Sequence, residues 1–266
     1  MVNAHEYYAG LLDMQLTVAF RANKHIRVLL TSNESRVVDQ VTAKFRPTKI
    51  TTVRRLSPGR ESCVIQFVED DARPLLEFAA EHCLCRGALA RAALAFLNGS
   101  SGVDDVIKAS SQDITVPDTV PVEWVAGVFD VRGIVSTPPE TKRGIKIAFP
   151  KHERALLAPI GICLPMGRVK KTSPCRLVFE SRESIRAFLA AMDPFVEAKR
   201  PDLTRMERAL SAAHATRRST TNNPVTTAIL EAIGIPADNV DVEGGSFVAA
   251  TTETASATAT ATASSA

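Results

Sequence analysis

Tyr7-Tyr8-Ala9-Gly10-Leu11-Leu12-Asp13-Met14-Gln15-Leu16 returns later in the chain as Trp124-Val125-Ala126-Gly127-Val128-Phe129-Asp130-Val131-Arg132-Gly133. Each copy has an Ala-Gly pair, two large apolar residues and an aspartate, and Gly10 and Gly127 stand 117 residues apart. Each reads as a short helix. A glycine inside a helix costs about 0.5–1 kcal/mol relative to alanine, so something must offset it. Close approach of another backbone is the usual reason, and the other copy is the expected partner. Ala9, Gly10, Ala126 and Gly127 are therefore the candidate helix interface.

Outward from the first copy, Leu16–Ala22 alternates apolar and polar residues with strand periodicity, and His25–Thr31 continues it through a hairpin at Asn23-Lys24. Ser35–Phe45 reads as a helix capped by Ser32 or Asn33, with Val37, Val38 and Val41 inward. Lys49–Leu56 and Ser62–Val68 form a second hairpin around Ser57-Pro58-Gly59. A third helix starts near Pro74, with Asp71 as its possible cap, within an apolar run from Leu75 to Leu97. After the second copy come a strand at Gly144–Phe149, a helix at Glu153–Ile162, a hairpin of Gly167–Lys171 and Cys175–Phe179, and a helix from Ser184. Ser62-Cys63-Val64-Ile65-Gln66-Phe67 aligns with Pro174-Cys175-Arg176-Leu177-Val178-Phe179 at an offset of 112, so the second copy has shorter loops.

The repeated segments resemble degenerate copies of the motif that names the LAGLIDADG homing endonucleases, in their single-chain, two-motif form. The resemblance covers residues 4–213 and implies an α+β fold: two pseudo-two-fold-related αββαββα units whose antiparallel sheets form a nucleic-acid-binding saddle. The expected organisation is a first half at 1–99, a linker at 100–121 and a second half at 122–215. A helical extension at 216–236 and a low-complexity tail at 237–266 follow. The family holds its metal with an acid at the eighth motif position, which here is Gln15 and Arg132. A hard divalent cation wants anionic oxygens, whereas Gln15 offers one neutral oxygen and Arg132 five donors and a fixed positive charge. Asp13 and Asp130 sit two residues earlier, about 200° around a helix, and read as residues that bond nearby backbone. At the ninth position, where the family prefers a glycine that leaves the helix in a left-handed turn, stand Leu16 and Gly133. The resemblance also places retained basic residues, Arg86 and Lys199, at the start of the last helix of each half.

The strands carry Arg21, Arg27, Lys49, Arg54 or Arg55, Lys146, Arg168, Lys170, Lys171 and Arg176 as outward residues, suited to a groove that tracks phosphates. The net charge of +3 is only mildly basic, and 45% apolar with 23% charged residues is globular. Five cysteines without framework spacing point to free thiols in a reducing compartment. His82-Cys83-Leu84-Cys85 lacks a second ligand pair for a metal, and the histidines form no recognisable catalytic set. No stretch is apolar and long enough to span a membrane, and no targeting sequence is visible.

These features point to a nucleic-acid-binding protein without cleavage, taking structured RNA (of an intron or a ribonucleoprotein) or double-stranded DNA and needing no cofactor. The resemblance implies a mitochondrial or plastid home, with other ribonucleoprotein subunits as further partners. Two alternatives stand beside it. One is an active site-specific DNA endonuclease that uses Mg²⁺ through displaced carboxylates such as Asp13 and Asp130. The other is a structural subunit of an organellar complex, using the saddle for protein contacts with residues 222–236 as a docking helix.

Overall fold

The computed structural model describes residues 4–21, 25–54, 61–112, 117–137, 144–149 and 151–221. Residues up to Ala213 make one compact unit; a second begins at His214, and its described part is the end of one helix, at Thr221. The expected hairpin turns at 23–24 and 57–59, the helix from Asn222 and the tail lie outside the described residues.

Helix α1 (Ala4–Asp13) leads into β1 (Thr17–Arg21), β2 (His25–Ser32), α2 (Ser35–Phe45), β3 (Lys49–Arg54) and β4 (Glu61–Val68). The first sheet is antiparallel in the order β1-β2-β4-β3. Ile26, Val28, Leu30, Ile65 and Phe67 are fully buried on its inner face, as period-two alternation requires of a sheet covered on one side. α2 starts without a side-chain cap at Glu34, although the Ser32 hydroxyl accepts from the Glu34 N–H.

The apolar run after β4 is two helices rather than one. A short 3-10 turn (Glu69–Ala72) precedes α3 (Arg73–His82), the chain breaks at Cys83–Arg86, and α4 spans Gly87–Leu97. Helical periodicity runs through the break, so composition does not mark it; its cause lies in the site described below. The connector also holds a helix of its own, α5 (Val103–Ser111), begun by an Asp105 carboxylate accepting from the Gly102 N–H and anchored by buried Val106.

The second half repeats the order. It runs from α6 (Val122–Arg132) through β5 (Gly133–Ser136), a strand its short sequence does not advertise, and β6 (Gly144–Phe149). The next helix is half 3-10 (Lys151–Leu156) and half α7 (Leu157–Cys163). Then come β7 (Arg168–Lys170), β8 (Cys175–Phe179), α8 (Arg182–Met192), which Ser181 caps through its hydroxyl, and α9 (Arg200–Thr221). The sheet order β5-β6-β8-β7 copies the first. Cys63 pairs with Ser32 and Cys175 with Phe149, so the 112-residue correspondence holds in the hydrogen-bonded register.

The two motif helices pack against each other at the centre of the core. α6 buries every residue from Trp124 to Asp130, which is why it shows no one-sided apolar stripe: a helix enclosed all round needs none. Among the described residues, no helix is long and apolar enough to cross a membrane.

Candidate functional site

The glycines of the repeat sit where the two helix backbones touch. A Cβ on Gly10 would lie 2.1 Å from the Trp124 carbonyl oxygen, and one on Gly127 would lie 2.1 Å from the Tyr7 carbonyl oxygen. Tyr7 and Trp124 are also 117 residues apart, so the two contacts are images of each other. Ala9 and Ala126 are fully buried beside them. The four interface residues expected from the sequence are thus brought together.

The motif aspartates are anchors for backbone. Asp13 Oδ1 accepts from the N–H groups of Cys85 (2.9 Å) and Arg86 (2.7 Å), and Oδ2 accepts from the N–H of Leu84 (2.9 Å). The Trp124 indole Nε1 donates to Oδ2 at 2.8 Å. Asp130 repeats the pattern: Oδ1 accepts from the Lys199 N–H at 2.8 Å, and Oδ2 from Glu197 and Ala198, both at 2.9 Å. The Tyr7 hydroxyl donates to Oδ2 at 2.6 Å. Each carboxylate therefore gathers three amides that precede the last helix of its own half, α4 or α9, and one side-chain donor from the other half. An anion at a helix N-terminus satisfies amides that have no partner within the helix. This explains the break between α3 and α4: the chain must leave helical geometry to turn three consecutive N–H groups onto Asp13.

Asp13 is 1% exposed and Asp130 is fully buried. Burial raises the Asp13 pKa above its ordinary value, while Trp124 and the three amides act to lower it. All four groups facing it are donors, and a carboxylate accepts where a protonated acid would bring a competing hydrogen. Burial, followed by the Asp130 charge, pushes the Tyr7 hydroxyl far above its usual range, so it stays protonated and donating. Burial and the Asp13 charge likewise push the Cys85 thiol up.

The eighth motif positions differ in setting as well as chemistry. Gln15 lies in the turn after α1, where the Leu12 carbonyl accepts from the Gln15 and Leu16 N–H groups. It is 7% exposed, and its amide oxygen and nitrogen have no hydrogen-bond partner among the described residues. Arg132 is the last residue of α6, and its Nη2 donates to the Met14 carbonyl at 3.3 Å and to the Glu153 carboxylate at 3.4 Å. The guanidinium of the second motif thus reaches across to the end of the first. These residues do not fit the divalent cation that the fold family implies. Asp13 and Asp130 are saturated by donors, Gln15 supplies a neutral oxygen, and Arg132 places a cation among them. Among the described residues, no three His, Cys, Asp or Glu side chains converge into a metal cluster.

Gly133 is kept for a reason other than a left-handed turn. Its φ is −71°, and the chain passes directly into β5. A Cβ there would meet the Phe129 ring at 2.3 Å.

The retained basic positions stand at the helix starts as the resemblance implies. Arg86 precedes α4, half-buried, with Nε unpartnered among the described protein groups. Lys199 precedes α9 but is 5% exposed, and its ammonium donates to the Glu34 carboxylate of the first half. It is already engaged within the protein. Sequence reading overlooked Glu34, Glu153, Tyr7 and Trp124. The signal for the last two was present: both motif copies open on an aromatic that carries a donor.

The outward cations divide by register. Arg21 pairs with His25, Arg27 with Ala19 and Val68, and Lys49 with Gln66, so all three share the face opposite the buried one. Arg54 pairs with Glu61 and stands at the other parity from Lys49, and Arg55 lies outside the described residues. In the second sheet Lys146 and Arg168 both pair with Val178 and Lys170 pairs with Arg176, placing four cations on one outer face. Lys171 is exposed just past β7. Glu180 binds into this set, 2.6 Å from Lys170 and 3.4 Å from Arg168.

Comparison with known proteins places this arrangement. No family model matches the sequence, and no curated protein does. Solved structures do match. The LAGLIDADG homing endonuclease I-GzeII in complex with its DNA target has a TM-score of 0.58 at 12% identity, over 91% of this chain and 99% of that one. I-SmaMI bound to cleaved DNA scores 0.59 at 12% identity over 89% and 98%. I-AabMI bound to uncleaved DNA scores 0.59 at 12% identity over 86% and 97%. With the duplicated sheets and paired glycine helices, these likenesses show that the chain has the LAGLIDADG homing-endonuclease fold.

Proposed function

We propose that this chain is a nucleic-acid-binding protein that does not cut its ligand, working through the basic outer faces of its two sheets. The observation that carries the reading is Arg132: at the eighth position of the second motif its guanidinium bonds Met14 and Glu153. A cation fixed there supplies charge to a nearby phosphate and repels the metal that hydrolysis would need. The three neighbours described above were solved on DNA, which supports a nucleic-acid ligand for this chain as well. The alternative of an active endonuclease would draw on displaced carboxylates such as Asp13 and Asp130, and these two are spent on four donors each.

The ligand is double-stranded DNA or structured RNA, and the family resemblance supports a mitochondrial or plastid home. The test measures binding of randomised DNA duplexes and of structured RNA in EDTA across a salt series. Four neutralised phosphates predict an affinity loss of about a hundredfold between about 50 and 200 mM salt. Absence of salt-sensitive binding to either would end the proposal, and Mg²⁺-dependent strand cutting would replace it with the endonuclease reading.

A further inference from the structure

Within the described strands of the second sheet, the outer face carries Lys146, Arg168, Lys170 and Arg176. One acid stands against them, Glu180, the residue after β8. It follows Val178 by two positions and so continues the same face. Its two oxygens are used separately: Oε1 accepts from Lys170 Nζ at 2.6 Å and Oε2 from Arg168 Nη2 at 3.4 Å. Lys146 acts on it through space, and the three cations together hold its carboxyl below its ordinary value. Lys170 and Arg168 stand two residues apart on β7, and Lys170 pairs with Arg176, four residues before Glu180. Lys170 therefore reaches back along the sheet to meet the carboxylate. A single anion with each oxygen on a different cation copies the way a phosphodiester presents its two free oxygens.

We propose that Lys146, Arg168 and Lys170 form one defined phosphate-binding site and that Glu180 is its resident competitor, displaced when a backbone phosphate arrives. This rests on the proposed nucleic-acid-binding function and adds to it a site and a device that sets its strength. An exposed ion pair holds its partners weakly, so a phosphate within a polyanion, which also gains from counterion release, displaces it. A lone carboxylate or a dilute small anion does not. The consequence is discrimination: weak, scattered anions are refused at this point, and an array of phosphates is accepted.

The experiment uses the full chain and a fluorescent randomised DNA duplex or structured RNA, whichever of the two binds, titrated in EDTA at several salt concentrations. Glu180→Gln is compared with Glu77→Gln, which makes the same change in net charge at an exposed position on α3. The expected result is a three- to tenfold tighter Kd for Glu180→Gln and a salt dependence steeper by about one phosphate equivalent, with Glu77→Gln within twofold of the parent. Lys170→Ala on the Glu180→Gln background should return affinity to or below the parent value. Equal effects of the two glutamine variants, or a weaker Kd for Glu180→Gln, would overturn the competitor role while parental binding stands. If neither parent nor variants bind any DNA duplex or structured RNA in a salt-sensitive way, the nucleic-acid reading itself has failed.

Discussion

At the scale of single residues, the repeat is explained by what its glycines and aspartates touch. Gly10 and Gly127 lie under opposing carbonyl oxygens, so the helix-propensity gain of an alanine is outweighed by overlap with backbone that cannot swing aside. Gly10→Ala is expected to cost about 3 kcal/mol, lowering Tm by about 6–12 °C for a unit of this size; calorimetry on the full chain checks it. A neutral or raised Tm would mean the helices stand farther apart. These glycines were legible because an unexplained cost recurred at a fixed spacing. Gly133 was legible as a position and misread as a cause, since its φ is ordinary and its constraint comes from the Phe129 ring. A ring packed over a backbone leaves no local trace in sequence.

Among elements, the break between α3 and α4 shows tertiary structure overriding a continuous apolar pattern. Three amides turn from the helix to Asp13, and an amide side chain could serve them with only one oxygen. Asp13→Asn is therefore expected to lose about 2–4 kcal/mol. The thiols beside the break report it. Burial and then the Asp13 charge hold the Cys85 thiol above its ordinary pKa, so at pH 8 it remains protonated and resists alkylation in the folded protein. Removing the charge and loosening the junction both favour thiolate, so Asp13→Asn should speed labelling of Cys85, read by peptide mass spectrometry. Unchanged labelling would show that Asp13 does not hold the junction. The hairpins were readable from alternation and turn residues, and so was the correspondence of Cys63 with Cys175, which the strand register bears out. The connector helix α5 and the four-residue β5 were not, because each is short: α5 buries only Val106, and β5 is held by pairing with β6, which no local pattern records.

For the whole molecule, the duplicated order and the central helix pair were legible, and the links that cross between halves were not. Arg132 to Met14, Lys199 to Glu34, Gln40 to Glu197, Tyr7 to Asp130 and Trp124 to Asp13 join residues 111 to 165 positions apart in the chain. The aromatic that opens each motif marks Tyr7 and Trp124 as donors, but no local pattern names the partner across the halves in any of these pairs. They predict that residues 1–99 or 122–213 expressed alone will lack cooperative melting, and that the two fragments mixed will regain it. A fragment that folds alone, with dispersed amide resonances, would contradict this.

The exchange of Tyr7 and Trp124 carries a historical implication. Two copies descended from one ancestor would at first have traded the same aromatic across their axis, each lending what it borrowed. Here the loans are no longer in kind: a phenol goes one way and an indole the other. In a symmetric dimer of either copy, each acid would be closed by a different ring from the one it meets here: a phenol for Asp13, an indole for Asp130.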